Sequence, residues 1–502
     1  MFTVAFECMG LKPTNAYITD LHRRPVPGAH LTQDGDYLTI TAPRGRRVRL
    51  DVRAGVEGFG RTFCTADRGG EGYAEDGRFD LLAELAFSHL RRAERVAASW
   101  EAGEPDELAS AREHFAQSAW QDRENNSMRA LAKALVAGEE AARVSADRIL
   151  SGRDIGVHPG PLISGTLFGE RQGRWSIGVG PDWNPKEEPP DFIRPAAYNE
   201  RVAMLCSATT LPSFWRWIEP QQDKPRWDVL EGLLEFCEQH GLVAKSFALY
   251  WGGIGGCPVW LRGLPHKEKL QAIERWTTQI VQRYRGRIAA WETVNEMHDW
   301  HFANPFGWSH AQTLEVARLV SELVGALDPG KQRIINHCSI WGEYAQNRPG
   351  VWTPLTYLDA LLEAGIPFEG IGLQYYNPGR DLLECLLHLD EFARFGKEIW
   401  ITEMGTPSDP RGHGRVETGQ TDPLAGWRGT WSPERQADWV GLWYTLASSR
   451  PVVKALNWWD VSDSQAFIAH AGLLDDQGRP KPSYELLQAW CRRYRLGREA
   501  NR

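Results

Sequence analysis

From about residue 160 to residue 459 the chain repeats one pattern eight times, a short apolar run followed by a longer stretch with a different period. The apolar runs fall at 162–168, 202–207, 243–251, 288–295, 333–340, 370–376, 398–402 and 453–459. The stretches between them, 267–285, 309–327, 380–395 and 433–448 for example, carry the 3.6-residue periodicity of amphipathic helices. Strand and helix alternating eight times predict an α/β fold, a parallel (β/α)8 barrel, in which chemistry gathers at the carboxyl ends of the strands. This catalytic unit is expected over 153–495.

Two of those strand ends carry a glutamate. Glu296 closes the run Trp-Glu-Thr-Val-Asn-Glu after the fourth strand, and Glu403 lies in Ile-Trp-Ile-Thr-Glu-Met at the end of the seventh. A pair of carboxylates facing across one cleft is what hydrolysis of a glycosidic bond requires, one held protonated to assist the leaving oxygen and one ionised to attack the sugar. Asn295, just before Glu296, is placed to donate to a hydroxyl beside the reacting carbon. Gln374, Tyr375 and Tyr376 end the sixth strand, within reach of holding Glu403 ionised. Trp458 and Trp459 end the eighth and are placed to floor the sugar site.

Composition agrees with this reading. The chain has 23 tryptophans, none in residues 1–99, and 21 of them follow residue 153. Indole faces stack on sugar rings while their N–H reaches a hydroxyl, so such a surplus fits a carbohydrate cleft as well as a large core. A net charge of −8 argues against nucleic acid as a partner and suits a neutral substrate. No apolar stretch approaches a membrane span. The beginning lacks a basic region before an apolar segment, and eight scattered cysteines without Cys-x-x-Cys spacing fit reduced thiols, so a cytoplasmic location is expected.

Ahead of the barrel, 1–75 reads as β-rich, with alternation at 37–40 and 48–52 around a turn at 43–45. Phe79, Leu82, Ala83, Ala86, Phe87 and Leu90 then fall at helical spacing, and Met128, Leu131, Leu135 and Val136 repeat it, so 76–152 reads as helical. With no tryptophan in its β-part, this front end is expected to brace the barrel.

At these motifs the chain resembles glycoside hydrolase family 10, whose best-known members are endo-β-1,4-xylanases on a retaining (β/α)8 barrel. Trp291-Glu-Thr-Val-Asn-Glu296 looks like the family's acid/base motif and Ile401-Thr-Glu403 like its nucleophile motif. Gly370-Ile-Gly-Leu-Gln374 resembles the sixth-strand segment, Trp459-Asp-Val-Ser-Asp463 the eighth, and Trp215 with Glu219 and Pro220 the end of the second. Leu473-Leu-Asp-Asp followed by Pro480-Lys-Pro-Ser-Tyr484 resembles the closing stretch. The resemblance, over about 160–495, implies catalysis by Glu296 and Glu403. It implies substrate contacts from Asn295, Gln374, Tyr376, Trp215, Trp251, Trp459 and His298. No cofactor is required, and endo-action on a β-1,4-linked carbohydrate is implied.

The departures from the family cluster in one place. Its lysine before the second-strand tryptophan is Phe214 here, and the preceding Glu-Asn pair is Thr210-Leu211. Its third-strand histidine is Phe247, the histidine after that strand's tryptophan is Gly252, and Tyr376 stands for the sixth-strand histidine that supports the nucleophile. In the family the polar groups lost from strands two and three hold xylose hydroxyls. Replacing them with apolar side chains leaves buried hydroxyls without partners, which predicts a changed substrate preference.

His298, Asp299 and His301, with His337 and Cys338, match no strong metal motif, so no metal is expected. The stretch 405–432 is too long for an ordinary connection and is expected to wall the cleft, with His413 and Trp431 as subsite candidates. A noncatalytic sugar-binding or sensing barrel is the alternative from another class. Keeping both glutamates beside Asn295 and Gln374 counts against it. A barrel enzyme abstracting protons would call for a metal or a lysine base at the site.

Overall fold

The computed structural model describes residues 1–9, 11, 13–167, 196–253, 256–300, 304–376, 379–410 and 426–498. His301 and His413 lie outside these residues.

The front end holds seven strands and three helices. Strands β1 (Phe2–Glu7), β3 (His30–Asp34), β4 (Tyr37–Ala42) and β7 (Gly77–Asp80) form one sheet in the order β3-β4-β1-β7, and β2 (Asn15–Thr19), β5 (Arg49–Val56) and β6 (Gly60–Ala66) form another in the order β2-β5-β6. The two runs of alternation around the 43–45 turn are therefore strands of different sheets. Helix α1 (Leu81–Ser99) starts where the side chain of Asp80 accepts from the Ala83 N–H, and buries a face that includes Leu82, Leu85 and Ala86. Helices α2 (Asp106–Ser118) and α3 (Arg123–Ser151) complete this part.

The barrel strands are β8 (Leu162–Thr166), β9 (Ala208–Leu211), β10 (Val243–Ser246) with the short β11 (Tyr250–Trp251), β12 (Ala290–Asn295), β13 (Gln332–His337), β14 (Gly370–Tyr376), β15 (Glu398–Gly405) and β16 (Val453–Trp458). All neighbouring pairs are parallel, β16 pairs with β8, and the ring closes where both β10 and β11 pair with β12. Helices α4 (Ala196–Leu205), α5 (Trp215–Ile218), α6 (Trp227–His240), α7 (His266–Tyr284), α8 (His310–Leu327), α9 (Pro354–Glu363), α10 (Leu382–Ala393), α11 (Pro433–Ser448) and α12 (Pro482–Tyr494) occupy the return segments.

The second strand is not where the apolar run predicted it. Residues 202–205 belong to α4, where Tyr198, Val202 and Leu205 are buried at helical spacing, and the strand follows at 208–211. That strand reads Ala-Thr-Thr-Leu because the barrel interior there is polar. Thr210 Oγ1 and Ser164 Oγ donate to Asn457 Oδ1 at 3.1 and 2.6 Å, and Asn457 Nδ2 donates to Thr166 Oγ1 at 2.9 Å. A fully satisfied network of this kind is tolerated inside a barrel and fixes its layers.

The front end is fastened to the barrel by buried charge. Glu384 on α10 takes ion pairs from Arg23, Arg49 and Arg92 at 2.9, 3.0 and 2.8 Å, with 1% of its side chain exposed. Burial alone would raise its pKa, and the arginines instead hold it well below the usual carboxylate range. On α3, the Glu139 carboxylate accepts from the Leu382 N–H at 2.7 Å and from Trp427 Nε1 at 2.8 Å.

Candidate active site

The fourth and seventh strands deliver Glu296 and Glu403 to one end of the barrel, and both side chains are almost fully buried. Glu296 follows the last residue of β12 with a φ of 57°, a left-handed conformation that a non-glycine residue adopts at a cost. Its N–H donates to the Asn336 carbonyl at 2.9 Å, which holds the turned backbone in place.

Each carboxylate has its own donors. Gln374 Nε2 donates to Glu296 Oε1 at 2.8 Å and Trp251 Nε1 to Glu296 Oε2 at 3.1 Å. Asn336 Nδ2 donates to Glu403 Oε1 at 3.1 Å and the Tyr376 hydroxyl to Glu403 Oε2 at 2.5 Å. Burial pushes the Glu296 carboxyl up to about 7 against the donors Gln374, Trp251 and Cys338. Burial also raises Glu403, with the charges of Glu292 and Glu296 adding to it, while the Tyr376 hydroxyl and the Lys245 ammonium oppose the rise. Three acids thus share a dry site with one ammonium. The donors on Glu403 act against that rise by favouring its charged form.

Beneath the pair lies a layer that sequence reasoning missed. Glu292, four residues before Glu296, is fully buried and accepts from Lys245 Nζ at 2.5 Å and from Asn336 Nδ2 at 3.1 Å. Asn336 therefore spans Glu292 and Glu403, and its Oδ1 accepts from Thr402 Oγ1 at 2.5 Å. Gly372 stands beside it on β14, where a Cβ would come 2.6 Å from Asn336 Oδ1. The signal was a lysine and a glutamate each set inside an otherwise apolar strand.

The other sequence candidates divide. Asn295 is 1% exposed and accepts from Gln374 Nε2 at 3.4 Å, while its own Nδ2 has no hydrogen-bond partner among the described residues. A buried donor left over beside Glu296 is suited to a substrate hydroxyl. Trp251 and Trp459 flank the site in one aromatic group with Phe214, Trp217 and Phe247. Trp215 does not join them. It is 1% exposed, stacks on Trp276 with centroids 5.5 Å apart, and donates Nε1 to Glu219 Oε2 at 2.6 Å, so it is a core residue.

His298 is also held among protein groups. Its ring is fully buried, with Nδ1 2.8 Å from the Tyr344 hydroxyl and Nε2 3.8 Å from Cys338 Sγ. Tyr344 spends its proton on the Trp352 carbonyl, so its oxygen accepts from Nδ1 and leaves Nε2 facing the thiol. Burial holds this histidine neutral, with its ring nitrogens directed at Tyr344 and Cys338. Trp431, likewise, is buried in the main core. Among the described residues no group of three or more His, Cys, Asp or Glu side chains is arranged to hold a metal ion, and no helix is long and apolar enough to cross a membrane.

Comparison with known proteins places this site in context. Residues 212–489 match glycosyl hydrolase family 10. Endo-1,4-beta-xylanase B of Thermotoga neapolitana is 24% identical over 284 residues, 54% of this chain and 75% of the relative. Native xylanase 10B from Thermotoga maritima superposes with a TM-score of 0.51 at 20% identity, over 70% of this chain and 99% of that one. Native xylanase 10C from Cellvibrio japonicus gives a TM-score of 0.51 at 14% identity, over 69% and 74%. These structures share the barrel fold.

Proposed function

The chain belongs to glycosyl hydrolase family 10 and is a glycoside hydrolase, and from that premise we propose that it cleaves β-1,4-linked oligosaccharide or polysaccharide with retention, through a glycosyl-enzyme. Glu403 attacks the anomeric carbon as the bond to the leaving oxygen breaks, and the proton of Glu296 passes to that oxygen. Water then attacks the same carbon, Glu296 takes its proton, and Glu403 departs as a carboxylate. Asn295 Nδ2 donates to the hydroxyl beside the reacting carbon, and Trp459 and Trp251 bound the sugar.

The observation that carries this reading is a pair of buried carboxylates at the ends of the fourth and seventh strands, each with its own two donors. Glu403 receives Asn336 and Tyr376, which favour its charge against the rise that burial imposes, and the Glu296 carboxyl, pushed up to about 7, keeps its proton below neutral pH. A noncatalytic sugar-binding barrel has no need of two buried acids each held by its own donors. Proton NMR of the first product formed decides the stereochemistry: the β-anomer is expected, and initial release of the α-anomer would remove Glu403 from the nucleophile's role.

Substrate preference is proposed to have moved away from xylan, because Phe214 and Phe247 stand where hydrogen-bonding groups are expected. Each hydroxyl left without a partner costs about 1–3 kcal/mol. Xylan oligosaccharides are therefore expected to show a lower kcat/KM than some other β-glycoside in a substrate panel. Xylan as the dominant substrate would show the plain family preference instead.

A further inference from the structure

We infer that the glycone side of the cleft holds one sugar, so that the enzyme removes monosaccharides from non-reducing ends. This rests on the retaining reading above, and its starting point is geometric. In a double displacement the glycone becomes bonded to Glu403, so the groups around Glu403 form the glycone pocket. Tyr376 is hydrogen-bonded to Glu403, and Trp459, whose backbone N–H donates at 2.9 Å to the carbonyl of Met404, the residue after Glu403, packs in the same group as Tyr376. Both belong to a buried apolar group that Phe214, Trp217 and Phe247 extend across the ends of the second and third strands.

These rings fill space; they do not present it. The Phe214 centroid is 4.2 Å from Trp217 and 4.2 Å from Phe247, and Phe247 is 5.6 Å from Trp459. Phe214, Trp217 and Phe247 are 2%, 7% and 3% exposed. A stacking platform must show a ring face to solvent before the sugar arrives. Rings packed this closely and this deeply buried offer none, and a second sugar would have to part them and bury its hydroxyls against carbon. From the loop after the eighth strand, Phe467 packs on Tyr376 with centroids 5.2 Å apart, and its N–H donates to Asp460 at 2.8 Å. Among the described residues, Asn295 Nδ2 beside Glu296 is a buried donor without a partner.

The test compares 4-nitrophenyl β-glycosides of a monosaccharide and of its β-1,4-disaccharide, in the xylose and glucose series, with product analysis on the matching tetrasaccharides. The monoside is expected to be cleaved with a kcat/KM at least equal to the disaccharide's, and the tetrasaccharides to lose one sugar at a time. A preference for the disaccharide glycoside above about tenfold, or disaccharide as the first product, would overturn the inference and leave the retaining reading intact. Absence of cleavage of any β-glycoside would overturn both. Phe214→Ala and Phe247→Ala are expected to raise the ratio of disaccharide to monoside kcat/KM about tenfold by opening room, and an unchanged ratio in folded variants would show that the rings are not the barrier.

Discussion

Lys245 Nζ lies 2.5 Å from Glu292 Oε2, with 6% and 0% of the two side chains exposed, directly under the carboxylates that face the cleft. A pair this dry is worth little against an apolar substitute, yet breaking it strands a charge. Lys245→Met is therefore expected to lower stability by about 3–5 kcal/mol in urea unfolding. The double variant Lys245→Met with Glu292→Gln should recover much of it. A single-variant loss under about 1 kcal/mol would mean that Glu292 is already protonated in the folded enzyme.

Activity requires the proton on Glu296, so kcat/KM should fall as pH rises through about 7. Stability follows the same sign. The folded-state pKa is raised above the ordinary value of 4.5, so the folded state binds more protons between the two values. The contribution is complete below about 4.5 and is lost as pH rises through about 7. Glu296→Gln should therefore flatten the decline in Tm over that window, as calorimetry at a series of pH values would show, and an unchanged slope would contradict the assignment.

Glu403→Ala is expected to abolish turnover on every substrate. Glu296→Ala should spare glycosides with activated phenolic leaving groups, which depart without a proton. Equal losses for the two variants on activated and unactivated substrates would remove the acid role from Glu296.

Tyr376→Phe removes the 2.5 Å hydrogen bond to Glu403 while keeping the ring against Phe467. A bond to a charged group is worth about 1.5–3 kcal/mol, which corresponds to roughly 10- to 150-fold in kcat. The acidic limb of the rate profile should move to higher pH, because Glu403 loses a donor that favours its charge. A drop in kcat with no movement of that limb would assign Tyr376 to positioning alone.

The sequence revealed most of the barrel and both glutamates, because strands buried on two faces read as apolar runs and their ends mark the cleft. The second strand escaped because its Thr209 and Thr210 serve a polar interior, while the neighbouring helix supplied the apolar residues that drew attention. Lys245, Glu292 and Asn336 were hidden for a related reason, since a charged or amide side chain within a strand ordinarily signals solvent. Trp215 and His298 sit next to motifs but point into the core, and adjacency in sequence carries no information about which way a side chain turns.

The arginines gathered on Glu384 also set a timetable. Arg23 and Glu384 are separated by 361 positions, so during synthesis the front end waits for its acceptor. At about 5–20 residues per second that interval is roughly 20–70 s. Throughout it, Arg23, Arg49 and Arg92 have yet to meet the acid they share, and the surfaces destined to be sealed are open to water and to other chains. Assembly of the nascent polypeptide is thereby tied to the arrival of its sixth βα segment, and a ribosome that stalls before that point leaves Arg49 and Arg92 with only Asp51 and Asp67 for partners.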